Sequence, residues 1–315
     1  MFNKIAIIGG SGNVGSHIAF LGAIRGIARE IALFSIDTPR CKGVGLDISQ
    51  AAAVFNLPTH IKGYESYEGL SESEVVIITA GIPRTPNMTR DDLLLKNASI
   101  VREISQNIAK IAPDALLLIV SNPLDAMCLV AKHASGFDSQ RVVGMAGVLD
   151  GARLNYESKV VLNDFQTPIK PYVLGAHSDD MLPLLRFSLY GDKPLAAILD
   201  SDMQQYLIKE TKNGGAKIVS YYQQGSAYFA PASAAIKMLE LVTNPQDEDI
   251  VCSVYVQGEY DLHDIYIGLP VKLGKKGVEK IVNLTLNKQE QEMLKISAQG
   301  IKKQVEILKN NGLLN

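Results

Sequence analysis

Arg84, Arg90 and Arg153 offer fixed positive charge, His177 offers a titratable proton, and Asp150 is an acid that could hold that histidine. Together such a set could grip a small dianion, polarise a carbonyl and hand it a proton. Taken singly, each residue says less. Arg84 and Arg90 lie in TAGIPRTPNMTRDD (79–92), which leaves a strand-like run and carries Pro83 just before the first arginine and Pro86 and Asn87 between the two. The segment reads as a loop outside a strand's carboxyl end, able to close on an anion and exclude water. Two loop arginines are otherwise simply solvated. VSNPLDAM (120–127) puts the Asn122 amide at the same rim, where it could orient a hydroxyl or carbonyl, although Asn-Pro is equally a turn initiator. In GMAGVLDGARLN (144–155), Asp150 and Arg153 stand three apart at a helical start and share one face, while an N-cap is the commoner use of such an Asp. VLGAHSDDMLPL (173–184) places His177 just after a strand and beside Gly175; of five histidines, it alone has that setting. Spacing does not show that Asp150 meets it.

The elements that must position these side chains are legible in the first half. KIAII (4–8), IALFSI (31–36), EVVIIT (74–79), LLLIVS (116–121) and RVVGM (141–145) read as strands alternating with helical patterns, which implies a parallel sheet with helical crossovers. The second half has another texture: a helical stretch from about Asp150, a strand-like IKPYVLG (169–175), helical patterns through 201–240, apolar strands IVCSVYVQGEY and IYIGLPVKLG, and an amphipathic helix over 287–309 whose one weak position is Gly300. The expected fold is α/β: an N-terminal Rossmann doubly wound parallel sheet, residues 1–145, and a C-terminal α+β substrate domain, residues 146–315. No repeat or low-complexity linker separates the two, so a shared interface is expected.

Ile8 runs into GGSGNVG (9–15), which satisfies G-x-G-x-x-G as Gly10, Gly12 and Gly15, and a second register starting at Gly9. Such glycines permit a tight turn, close approach of backbone to a pyrophosphate, and packing of a helix whose N-terminus faces the phosphates. The pattern gains weight from the strand before it, the helix after it, and Asp37 at the end of the second strand, 22 residues beyond Gly15. A carboxylate there can accept hydrogen bonds from ribose hydroxyls and would repel a 2′-phosphate, so NAD is expected over NADP.

Composition closes off other classes. Apolar residues make up 47% and charged residues 20%, as in ordinary globular enzymes. The 31 basic and 33 acidic side chains nearly cancel and form no basic block, so no nucleic-acid partner is expected. Cys41, Cys128 and Cys252 are scattered and odd in number, which argues against a disulfide framework and against a clustered metal site. FNKIAIIGG is too short for a signal sequence core and no later run would span a bilayer, so a cytoplasmic protein without membrane contact is expected.

These ordered motifs, through GSAYFAPASAA (225–235) to the final helix, resemble the lactate and malate dehydrogenase family, and more closely its malate branch in the bacterial lactate-dehydrogenase-like group. The resemblance implies that His177 is the proton donor and acceptor, with Asp150 orienting its ring and favouring the protonated form. It implies that Arg153 grips the substrate C1 carboxylate, that Arg90 descends to polarise the C2 carbonyl, and that Asn122 bonds in the same site. Arg84 would pair with a second carboxylate where a lactate enzyme carries Gln, and a buried arginine without that partner would cost on the order of several kcal/mol. A small dicarboxylate, malate or oxaloacetate, is therefore the expected substrate, and Ala227 matches a small residue near it. The same resemblance implies cofactor contacts at Gly9, Gly10, Gly12, Asn13, Val14, Gly15, Asp37, Thr79, Ala80, Gly81, Asn97, Val120 and Asn122, and a homodimer or homotetramer.

The chain departs from the family pattern in three places. Ser178 and Asp180 replace a glycine and a small hydroxyl residue after the histidine, and Asn87 replaces a loop glycine. A carboxylate at 180 would weaken anion binding, raise the proton affinity of His177, or face solvent. Lactate or another 2-hydroxy acid is the nearer rival substrate. From other classes, an NAD- and metal-dependent glycosidase would need a cysteine accompanying His177 or Asn122 in motif context, and a non-catalytic NAD sensor would have lost the histidine or the arginines.

Overall fold

The computed structural model describes residues 1–83, 88–246 and 248–314. Its first strand, β1 (Phe2–Ile8), is buried from Ile5 through Ile8, the near-continuous apolar run that a parallel strand covered on both faces requires. There follow α1 (Asn13–Ile24), β2 (Ala28–Phe34), α2 (Thr38–Val54), β3 (His60–Tyr64), β4 (Val75–Ile78), α3 (Arg90–Ile111), β5 (Leu116–Ile119), α4 (Leu124–Ser135) and β6 (Val142–Gly144). These strands lie in the order β3-β2-β1-β4-β5-β6 and pair parallel throughout. The order reverses between β1 and β4, which opens a crevice at their carboxyl ends, and both the glycine turn and the 79–83 segment leave the sheet there.

The second half begins with α5 (Ala146–Leu162) and passes through short strands β7 (Ile169–Lys170), β8 (Val173–Leu174), β9 (Leu182–Pro183), β10 (Leu189–Tyr190) and β11 (Lys193–Pro194). Helices α6 (Leu195–Ile198), α7 (Ser201–Tyr222) and α8 (Phe229–Thr243) precede β12 (Ile250–Gln257), β13 (His263–Gly274), β14 (Gly277–Ile281) and the closing α9 (Lys288–Asn310). Among the described residues, β12, β13 and β14 extend the first sheet antiparallel from β6, through the pairing of Ser253 with Gly144. One apolar core therefore runs from Ile5 in β1 to Leu294 and Ile301 in α9.

Several details differ from the sequence expectation. IKPYVLG is not one strand: Pro171 has no N–H to give a ladder, and the segment splits into β7, paired with β10, and β8, paired with β9. β2 starts at Ala28 and ends at Phe34, leaving Ile36 wholly exposed. β3 was not anticipated, because its alternating HIKGY buries only Ile61 and Gly63 at the sheet edge. The helical pattern over 201–240 is interrupted between α7 and α8. α9 matches expectation, with Asn287 as N-cap and Glu290 completing a reciprocal capping box.

Candidate active site

β1 delivers the chain into the glycine turn. Gly9 sits at φ +82, and a Cβ there would lie 2.7 Å from Thr79 Oγ1 and 3.0 Å from the Ala80 nitrogen. A Cβ at Gly15 would lie 2.4 Å from the Gly9 carbonyl oxygen. Both positions therefore need glycine, one for its backbone angle and one for close packing of α1 on the turn. The Gly9 and Gly10 N–H groups donate to the Phe34 carbonyl, which ties the turn to the end of β2. Gly12 is the N-cap of α1, no side chain caps the helix, and its first turn, with Asn13, Val14 and Gly15, carries no acid. That terminus suits an anionic phosphate. Three residues past β2, Asp37 caps α2 by accepting the Arg40 N–H at 3.2 Å.

The facing rim is laced by hydroxyls and one amide. Thr79 Oγ1 donates to the Ile8 carbonyl at 2.9 Å, and Ser121 Oγ donates to the Ala80 carbonyl at 2.5 Å. Buried Asn97, on α3, accepts the Ile82 N–H at 2.8 Å and donates to the Asn122 carbonyl at 2.7 Å. It thus holds the ends of β4 and β5 at a set spacing. Gly81 lies against the Asn97 amide, Val120 is buried, and the Asn122 side chain stands exposed at the rim.

Across the crevice, α5 supplies the charged pair. The helix begins at Ala146, so Asp150 is in its second turn and does not cap it, correcting the expectation of a helical start there. A Cβ on Gly147 would lie 2.4 Å from Val251, and one on Gly151 would lie 2.9 Å from Pro171, so α5 packs closely on β12 and on the strap that carries His177. Asp150 is 2% exposed. Its Oδ1 accepts from Arg153 Nη1 at 2.8 Å and its Oδ2 faces His177 Nδ1 at 2.8 Å. That contact places a proton on Nδ1 and leaves Nε2 as the ring atom that can exchange a proton with a ligand.

The His177 strap is held from three sides. Gly175, at φ +91, exchanges backbone hydrogen bonds with Gly268 of β13, and the Ala176 N–H donates to Ser297 Oγ of α9 at 2.8 Å. The His177 N–H donates to Asp125 Oδ2 of α4 at 2.9 Å. Burial opposes a charge on the imidazole, but the carboxylate of Asp150 and its hydrogen bond outweigh it and raise the His177 pKa above the ordinary value; Arg153 opposes and Asp125 adds. Asp180 Oδ2 lies beside α9, 3.7 Å from where a Cβ on Gly300 would be, and the Asp180 N–H donates to Ser178 Oγ.

Arg153 rests on α7. A Cβ on Gly214 would stand 3.0 Å from its Cδ, and one on Gly215 would stand 3.0 Å from its Nη2. Among the described residues its buried Nε has no partner, so the terminal nitrogens, one of which also bonds Asp150, form the edge available to a carboxylate. The structure thus joins Asp150, Arg153 and His177. Arg90 is exposed as the first residue of α3, on a helix and not on the loop expected, and Ala227 is half-buried between α7 and α8; among the described residues, neither is hydrogen-bonded into that cluster. Arg84 and Asn87 lie outside the described residues.

Sequence reasoning passed over Asp125, Ser253, Ser297, Gly214 and Gly215. An acid inside the apolar run LDAMCLVA (124–131) and a glycine pair inside a helical pattern are the signals that were present.

Residues 3–144 match the NAD binding domain of lactate/malate dehydrogenase, and residues 148–311 match the alpha/beta C-terminal domain of the same family. The chain belongs to the lactate/malate dehydrogenase family. It is 70% identical over 314 residues to a malate dehydrogenase of Helicobacter hepaticus, with 100% of each chain covered. A malate dehydrogenase of a Nitratiruptor species is 41% identical, covering 98% of this chain and 96% of its own. Among solved structures, malate dehydrogenase of Cryptosporidium parvum superposes with a TM-score of 0.94 at 36% identity, covering 98% of this chain and 100% of that one. Lactate dehydrogenase of Eimeria maxima with NADH and oxamate gives 0.93 at 32%, covering 100% and 97%.

Proposed function

We propose that the protein catalyses the reversible, NAD-linked oxidation of (S)-malate to oxaloacetate. The observation that carries this reading is the Asp150 carboxylate bridging His177 Nδ1 and Arg153 Nη1, both at 2.8 Å. A proton carrier and an anion fork are thereby fixed to one buried charge. The name shared by the relatives at 70% and 41% identity supports malate as the substrate.

In the reductive direction Arg153 receives the C1 carboxylate on its terminal nitrogens, and Arg84 meets the second carboxylate. Arg90 and the Asn122 amide polarise the C2 carbonyl, and Ala227 leaves room beside it. The nicotinamide, when bound, supplies the hydride to C2. His177 Nε2–H passes its proton to the oxygen that becomes the malate hydroxyl, and the neutral ring keeps its Nδ1–H on Asp150. In the oxidative direction the same Nε2 takes the hydroxyl proton.

For the cofactor, the uncapped N-terminus of α1 and the Gly9, Gly10, Gly12 and Gly15 backbone suit the pyrophosphate, since a Cβ at any of these positions would press on Thr79, Leu33 or the turn's own backbone and open the tight turn. Asp37 would accept the ribose hydroxyls. Asn13, Val14, Thr79, Ala80, Gly81, Asn97 and Val120 complete the walls. We divide the chain into a cofactor-binding domain, residues 1–145, and a substrate domain, residues 146–315.

We also infer a cytoplasmic homo-oligomer. None of the described helices is long and apolar enough to cross a membrane. Exposed apolar side chains recur on α1 (Phe20, Ile24) and around the α7–α8 junction (Tyr221, Tyr222, Phe229), which supports self-association.

The test is NADH oxidation followed by absorbance with oxaloacetate, with pyruvate and with no substrate, each with and without chelator. Oxaloacetate is expected to be turned over far faster than pyruvate, and chelator is expected to change nothing. Preference for pyruvate would move the chain to the lactate side of its family, and a chelator-sensitive rate would revive a metal-dependent reaction.

A further inference from the structure

Asp125 is a carboxylate 5% exposed, in the first turn of α4, well inside the apolar core between the sheet and the strap that carries His177. Both oxygens are used. Oδ1 accepts from Ser253 Oγ of β12 at 2.6 Å, and Oδ2 accepts from the His177 main-chain N–H at 2.9 Å. Ser253 is fully buried and is also the β12 residue that pairs with Gly144, so the carboxylate is anchored where the antiparallel strands join the parallel sheet. A neutral residue would hold a strap to a helix at less cost than a buried acid, because an ionised carboxylate pays a heavy desolvation penalty unless its charge is used. The α4 N-terminus and two donors offset part of that penalty.

Among the described residues, charged groups act on His177 from two elements: Asp150 and Arg153 from α5, and Asp125 from α4, whereas β13 contributes the Gly268 backbone and α9 the Ser297 hydroxyl. On its own strap, Asp179 and Asp180 follow, with the Asp180 carboxylate beside Gly300. Asp150 is shared, since one of its oxygens serves Arg153. Among the described residues, Asp125 makes no such contact with an arginine or lysine; burial pushes its pKa up and Asp150 adds to that rise, while the Ser253 hydroxyl, the His177 N–H and the imidazole charge oppose it.

We propose that Asp125 is a positioning residue for His177: it ties the strap to α4 and β12 through the His177 N–H, and it keeps a second buried negative charge beside the imidazole. This rests on the reading of His177 as the proton carrier. The charge favours the imidazolium that must be present before a carbonyl can be reduced, so its contribution adds to that of Asp150 in the same direction.

Asp125→Asn separates the two contributions. An asparagine has the same shape, can accept the His177 N–H through Oδ1 and can donate to Ser253 Oγ through Nδ2, so the tie survives while the charge is lost. With imidazole-labelled protein followed by NMR, the midpoint of the His177 titration is expected to fall by about one pH unit. NADH affinity is expected to stay unchanged, and oxaloacetate turnover above the new midpoint to fall by about tenfold. An unchanged midpoint in folded Asp125→Asn overturns the proposal. Asp125→Ser is the second neutral variant, with the same fall expected. Should neither fold, the native protein labelled at its aspartate carboxyl carbons decides: Asp125 is expected to be ionised at neutral pH, and a protonated Asp125 overturns the proposal. The titration needs no turnover, so native enzyme inactive on oxaloacetate would refute the malate reading and leave the Asp125 result standing.

Discussion

Asp150→Asn removes the charge that joins the imidazole to the anion fork. The carboxylate is 2% exposed and lies 2.8 Å from His177 Nδ1, and charge centres about 4 Å apart interact by about 4 kcal/mol at an effective dielectric constant of 20. Arg153 and burial oppose the imidazolium in both proteins and cancel in the difference, while the asparagine Oδ1 still accepts the Nδ1–H, so we take about 3 kcal/mol as the share of the imidazolium's stabilisation that is lost. At about 1.4 kcal/mol per pH unit, the His177 midpoint falls by about two units, and at a pH above the native midpoint the protonated fraction falls by about 100-fold. The assay is the rate of oxaloacetate reduction at saturating NADH from pH 5.5 to 9. The variant is expected to lose about two orders of magnitude at the alkaline end and to recover much of that loss at the acidic end.

Stability carries the same signature. A histidine whose folded pKa is raised stabilises the fold fully below its unfolded pKa of about 6.5, and that contribution is lost as pH rises through the folded value. The melting-temperature gap between native protein and Asp150→Asn, apart from the pH-independent part due to Arg153 losing its partner, is therefore expected to be larger at pH 6 than at pH 9. A variant whose activity loss is the same at every pH, with a constant melting gap, would refute the electrostatic role of Asp150.

Two more outcomes follow from packing and charge. Gly215→Ala gains about 1 kcal/mol of helix propensity but sets a Cβ 3.0 Å from Arg153 Nη2, so the melting temperature should hold or rise while the oxaloacetate KM rises about tenfold; an unchanged KM would show that α7 does not set the arginine. Arg84→Gln should reduce kcat/KM for oxaloacetate by about 100-fold or more and for pyruvate far less, and equal losses would remove Arg84 from substrate choice.

Much of this was legible in the chain because local rules sufficed. β1, the Gly9–Gly15 turn and the start of α1 are contiguous, so strand, turn and helix propensities point the same way. Asp150 and Arg153 share a face through helical spacing alone, whatever residue begins α5. Contacts between distant segments were hidden. Ser253 reaches Asp125 across 128 residues, and Asp150 reaches His177 across 27, and neither spacing carries a periodic signal. The joining of β12 to β6 pairs segments more than 100 residues apart, Ser253 with Gly144, which no run of apolar residues encodes. The Gly214–Gly215 pair reads as helix weakness until the Arg153 side chain is seen lying across it. Pro171 was among the local signals misread, and it divides β7 from β8 as its missing N–H demands.

The central claim is that His177 carries the proton for a hydride-transfer reaction and takes no other essential part. His177→Asn tests it when NADH binding and oxaloacetate turnover are measured on the same sample. The account predicts an NADH dissociation constant within about twofold of the native value and turnover reduced by at least about 1,000-fold. Turnover that persists at a tenth of the native rate, with NADH bound as before, would contradict it.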